Sequence, residues 1–122
     1  MYTILMIEDD EVQLALQRSI LMDSGYKSYA TADGPQGITI FQKHKIDLVL
    51  LNLGLASMSG LEVLREIRRI DEKAEVVVIT GYPSVESSVI AMKYGAIDYI
   101  QKPFDIKGWL KRIRAILEDV KI

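Results

Sequence analysis

Residues 46–52 read Ile46-Asp47-Leu48-Val49-Leu50-Leu51-Asn52, and from Leu48 to Leu51 the apolar residues follow one another with no polar alternation. A strand with one wet face alternates, so a run that is apolar on both faces belongs in the middle of a parallel sheet covered by helices on each side. Val76-Val77-Val78-Ile79 repeats the pattern. Outward from these two, strands are predicted at 3–7, 46–51, 75–80 and 97–101, with a weaker run at 26–31. Helical spacing fills the gaps. Val12, Leu14, Leu16, Ile20 and Leu21 are expected to line the first helix, and Ile38, Ile40 and Phe41 the second. Leu61, Val63, Leu64 and Ile67 would line the third, Val85, Val89, Ile90 and Met92 the fourth, and Trp109, Leu110, Ile113, Ile116 and Leu117 the fifth. Ser59-Gly60-Leu61-Glu62 has the form of a capping box, Gly25 and Gly95 stand at helix C-caps, and Pro83 suits a first helical turn. The alternation is (βα)5. Parallel strands joined by helices require right-handed crossovers, which predicts a doubly wound open sheet with its site at the carboxyl ends of the strands.

A chain of 122 residues fits a single domain, taken here as 1–122. With 49% hydrophobic and 26% charged residues it has an ordinary globular composition. No apolar stretch approaches the roughly 20 residues of a membrane span. Zero cysteines exclude disulfides and thiolate zinc sites, and no basic region precedes an apolar core at the N-terminus. A cytoplasmic location is expected. The net charge of -2 argues against nucleic acid as a direct partner, and Arg65, Arg68, Arg69, Lys111, Arg112 and Arg114 read as solvated helix faces.

The residues just past the strands are Glu8-Asp9-Asp10, Asn52, Thr80 and Lys102. Acids at one sheet edge suit Mg²⁺, which takes hard oxygen ligands and is usually completed by a phosphate. Lys102 and Thr80 would then hold the remaining phosphate oxygens. Each residue also has a plainer role open to it. The acids could serve a helix N-terminus, Thr80 a turn, and Lys102 only solvent. Their common register at the strand ends favours a phosphoryl-transfer site.

Here the chain resembles the receiver domain of two-component response regulators, the chemotaxis-regulator-like fold, over nearly its whole length. The resemblance rests on Ile4-Leu5-Met6-Ile7-Glu8-Asp9-Asp10, Asp47–Asn52 leading to Met58-Ser59-Gly60, Val78-Ile79-Thr80-Gly81-Tyr82, and Gly95-Ala96-Ile97-Asp98-Tyr99-Ile100-Gln101-Lys102-Pro103-Phe104. The stretch from Thr80 to Lys93 looks most like receivers of nitrogen-regulator-type activators. The resemblance implies a flavodoxin-like five-stranded sheet in the order 2-1-3-4-5. It implies that Glu8 and Asp9 bind Mg²⁺ with the Gly54 carbonyl, that Asp10 is a nearby third acid, and that Thr80 and Lys102 contact the phosphoryl group. Tyr99 would be the switch aromatic, and Lys102-Pro103 a cis peptide bond. Implied partners are a histidine kinase or phosphotransfer protein, an output domain or partner protein docked on the face of the fourth helix, fifth strand and fifth helix, and a second copy of the chain.

The pattern breaks at Asn52, which stands where the family has its aspartate phosphoacceptor. An amide has no negative charge and its nitrogen lone pair is delocalised, so Asn52 is not expected to accept phosphate, and Mg²⁺ should bind more weakly. The residue is either an engineered block or natural divergence, and Ala56 and Ser57, which also depart from the family, favour divergence. Two other readings are weaker. A haloacid-dehalogenase-type phosphatase needs an Asp nucleophile where Glu8 stands, and a flavodoxin needs a Ser/Thr-rich loop where the acids are. The expectation is a binding and switching domain, not an enzyme.

Overall fold

Leu48–Leu51 and Val76–Ile79 do form central strands, and what buries both their faces is visible in the computed structural model, which describes residues 1–118. The order is β1 (Thr3–Ile7), α1 (Glu11–Asp23), β2 (Lys27–Thr31), α2 (Gly34–Lys43), β3 (Leu48–Asn52), then α3 (Gly60–Ile70), β4 (Val76–Thr80), α4 (Val85–Lys93), β5 (Asp98–Gln101) and α5 (Ile106–Leu117). All strand pairs are parallel in the order β2-β1-β3-β4-β5. This is the flavodoxin-like (βα)5 sheet expected. Successive residues of each strand feed opposite cores. Ile4, Met6, Leu48, Leu50, Val77 and Ile79 pack with Trp109 and Ile113 on the α1/α5 side. Leu5, Ile7, Val49, Leu51, Val76 and Val78 pack with Val63, Leu64, Ile67 and Ala91 under α3 and α4. Two helical layers therefore explain the unbroken apolar runs.

Strand β3 starts two residues later than predicted because Asp47 turns its carboxylate to the first strand, accepting the Thr3 N–H at 2.8 Å. Gly25 and Gly95 have φ of 89° and 98°, the left-handed conformation that ends α1 and α4. Four sequence expectations fail. On α1, Val12 and Leu16 are 79% and 53% exposed, while Gln17 and Leu21 are buried, so the inward face runs through residues 14, 17 and 21. On α4, Val85, Val89 and Met92 all face outward and Ala91 is the buried residue. Pro83 lies before α4, whose cap is Ser84 with its Oγ accepting the Ser87 N–H. Ser59 holds the N-cap position of α3 but makes no side-chain cap bond. Gly60 explains that position: a Cβ there would lie 2.5 Å from Leu53 Cα and 2.8 Å from the Asn52 carbonyl oxygen.

The basic residues also divide. Arg68 is half-buried rather than solvated, donating to the Ala74 carbonyl at 2.8 Å and packing where a Cβ on Gly95 would otherwise sit. Gly108 falls in the first turn of α5, its N–H donated to the Asp105 cap, with no close contact behind it. Trp109 is buried as expected and stacks on Phe104 at 5.7 Å between centroids.

Candidate functional site

The sheet changes winding direction between β1 and β3, and in open α/β sheets that switch point opens a crevice at the carboxyl ends of the strands. Glu8, Asp9, Asp10, Asn52, Gly54 and Lys102 line one cleft there. Glu8 directly follows β1 and is buried, its backbone N–H donating to the Thr31 carbonyl at 3.0 Å. Its carboxylate pairs through Oε1 with the Lys102 ammonium, which arrives from the end of β5. Lys102 is positioned by its own backbone N–H, donated to the Thr80 carbonyl at 2.8 Å, and precedes the cis peptide bond to Pro103. Asn52, the last residue of β3, donates from Nδ2 to Asp9 Oδ1 at 3.0 Å. Asp9 offers only acceptors when ionised, so the amide must present its nitrogen and not its oxygen.

The third acid is engaged locally. Asp10 is the N-cap of α1, and its Oδ1 accepts the N–H groups of Val12 and Gln13 at 3.0 and 3.1 Å. Its place is that of a capping acid, which stabilises a helix start by roughly 0.5–2 kcal/mol. Thr80 is buried under the cleft, where its Oγ1 accepts the Tyr82 N–H at 3.1 Å, so the hydroxyl also serves a turn. Neither Thr80 nor Tyr99 lines the cleft itself, and Tyr99 stands further apart. It pairs with Val78 across the sheet, and its hydroxyl meets Ser87 of α4 at 2.7 Å. Sequence reasoning missed Ser87, and it missed Gln13, which lines the cleft one turn into α1. Helical spacing from the Asp10 cap could have found Gln13; nothing local marks Ser87.

The Mg²⁺ that the resemblance implies meets a donor set already engaged. Glu8 is taken by Lys102, Asp9 by Asn52 and Asp10 by the helix cap. Among the described residues no group of three or more acids or histidines is disposed to hold a metal ion.

A profile of the response regulator receiver domain family matches residues 4–114. The chain belongs to that family. The response regulator ArlR of Staphylococcus aureus is 38% identical over 117 residues, covering 96% of this chain and 53% of ArlR. The receiver thus spans about half the length of the curated relatives it matches. Among solved structures, a CheY-like receiver domain protein from Methanospirillum hungatei JF-1 superposes with a TM-score of 0.94 at 28% identity, covering 98% of this chain and 95% of that one. The response regulator TrrA of Thermotoga maritima, solved in complex with Mg²⁺ and BeF, gives 0.87 at 26% identity, with 96% and 100% covered. Receivers are binding and switching domains, which removes the phosphatase and flavodoxin alternatives. In this receiver the phosphoacceptor position at the end of β3 is Asn52, the arrangement of a non-phosphorylatable pseudo-receiver.

Proposed function

We propose that this chain is a pseudo-receiver that works through protein contacts and without a phosphorylation cycle. The observation that carries the proposal is the Asn52 amide, held against Asp9 at the acceptor position. An aspartyl phosphate forms when a carboxylate oxygen attacks phosphorus, and the amide offers neither the charge nor a free nitrogen lone pair. In this reading Thr80 and Lys102 are the retained phosphoryl-contacting pair, Glu8, Asp9, Asp10 and the Gly54 carbonyl the remnant of a metal pocket, and Tyr99 the switch aromatic. Mg²⁺ binds here more weakly than to a receiver with Asp at this position, since one ligand charge is gone.

With the chain in the cytoplasm, partners would be a histidine kinase or phosphotransfer protein on the input side and an output domain or partner protein on the α4, β5 and α5 face, where Val85, Val89, Met92 and Ile97 are exposed. A second copy of the chain is a further candidate for that face. No described helix is long and apolar enough to cross a membrane. The stretch Thr80-Gly81-Tyr82 to Ala91-Met92-Lys93 supports a nitrogen-regulator-type activator as the parent.

Intact-mass measurement tests the central claim. The wild-type chain and Asn52→Asp are incubated with Mg²⁺ and a small phosphodonor. The aspartate form gains one phosphoryl group and the wild type gains none. Addition to the wild type would overturn the reading, and no addition to Asn52→Asp would remove the acceptor assignment.

A further inference from the structure

Glu8 is only 4% exposed, and a buried carboxylate is tolerated when a positive or hydrogen-bonding partner compensates it. Lys102 supplies that charge with a side chain itself 14% exposed, so the pair is shielded from solvent unlike a surface ion pair. Beside it, Asn52 supplies a hydrogen to Asp9. An aspartate at residue 52 would instead put two acceptors about 3 Å apart with no hydrogen between them, a contact that a bridging cation or a shared proton would relieve.

We propose that Lys102 and Asn52 together take the place of a divalent cation in this domain. The ammonium neutralises Glu8, the amide satisfies Asp9, and the resting fold is complete without metal. A metal ion enters only by displacing Lys102 from Glu8. Replacing the acceptor aspartate by asparagine then does more than delete a nucleophile. It turns a pocket that a cation would stabilise into one that needs none. The geometry around Lys102 supports this: its backbone N–H is held by the Thr80 carbonyl at 2.8 Å. The proposal rests on reading this cleft as the receiver's acidic pocket and deepens that reading.

The test uses MgCl₂ alone, with NaCl-matched controls, on the whole chain. Thermal melting and calorimetric titration are run on wild type, Lys102→Met, Asn52→Asp and the double variant Glu8→Gln/Lys102→Met. The wild type should melt at the same temperature with and without Mg²⁺. Lys102→Met and Asn52→Asp should each melt lower without Mg²⁺, recover with it, and bind it at least about tenfold more tightly than wild type, consistent with exposing an uncompensated carboxylate. The double variant, with no charge left to compensate, should recover metal-free melting and lose the Mg²⁺ response. Lys102→Met that folds only when Mg²⁺ is added also supports the proposal. Equal Mg²⁺ affinity in wild type and Lys102→Met overturns it. Should Lys102→Met not fold at all, an Asn52→Asp chain whose melting ignores Mg²⁺ overturns it equally. No phosphodonor is present, so failure here leaves the acceptor assignment standing, and phosphorylation of the wild type would sink the pseudo-receiver reading without touching this proposal.

Discussion

At the scale of single residues, the same substitution should have opposite signs at two glycines. Gly60 lies so close to the backbone of Asn52 and Leu53 that a methyl group would overlap atoms unable to step aside. Gly60→Ala should therefore destabilise by about 1–3 kcal/mol, overlap outweighing the gain of up to about 1 kcal/mol from better helix propensity. At Gly108 an added methyl group would have its nearest neighbour at 3.5 Å, the movable carboxylate of Asp105. Gly108→Ala should stabilise by about 0.4–1 kcal/mol through the unfolded chain. Urea unfolding of both variants reads the contrast, and a stabilised Gly60→Ala would refute the close approach of α3 to the end of β3.

At the scale of elements, α1 and α4 carry more apolar residues than they bury. Val12→Glu on α1 and Val89→Glu on α4 should each change stability by less than about 0.5 kcal/mol, whereas Leu21→Ala should cost about 2–5 kcal/mol. Denaturation midpoints would show it, and a large loss at Val12 would mean that α1 packs on the other face. These helices also mark where sequence reading ran out. Strands β3 and β4 were legible because burial on both faces leaves no choice of pattern. An amphipathic helix with a second apolar stripe has no such constraint, so Val12 and Leu16 counted as core while Gln17 took the inward position. The cleft was legible for a similar reason: Glu8, Asn52, Thr80 and Lys102 all fall at the carboxyl ends of parallel strands, though the pairing sets Thr80 one row and Lys102 two rows beyond Asn52. Which donor meets which acceptor was not, because pairing depends on rotamers and on distances between strands remote in sequence.

At the scale of the whole molecule, Tyr26 ties the start of β2 to the far end of α5. Its hydroxyl donates to Glu118 Oε2 at 2.7 Å across 92 positions of chain. Burial first, and the neighbouring carboxylate second, push the phenol from its ordinary 10 up to about 12. The unfolded chain releases this proton near pH 10 while the folded one holds it. The Tyr26 contribution is therefore complete below about pH 10 and is lost as pH rises towards 12. Chemical denaturation should show that loss in wild type and a flatter profile over the same interval in Tyr26→Phe. Equal slopes would mean that the hydroxyl is free in solution.

The hydrogen bond from Asn52 to Asp9 also bears on what a change at residue 52 would meet. An asparagine codon becomes an aspartate codon by a single base substitution, and the two side chains have nearly the same shape. An aspartate at residue 52 is thus one base substitution away, with no steric obstacle. The obstacle is electrostatic, because Asn52→Asp sets two carboxylates side by side where a donor and an acceptor had met at 3.0 Å. Asn52→Asp should be best tolerated in variants whose surroundings of Asp9 have been altered first, so the order of substitutions, more than their number, governs whether an aspartate is accepted there.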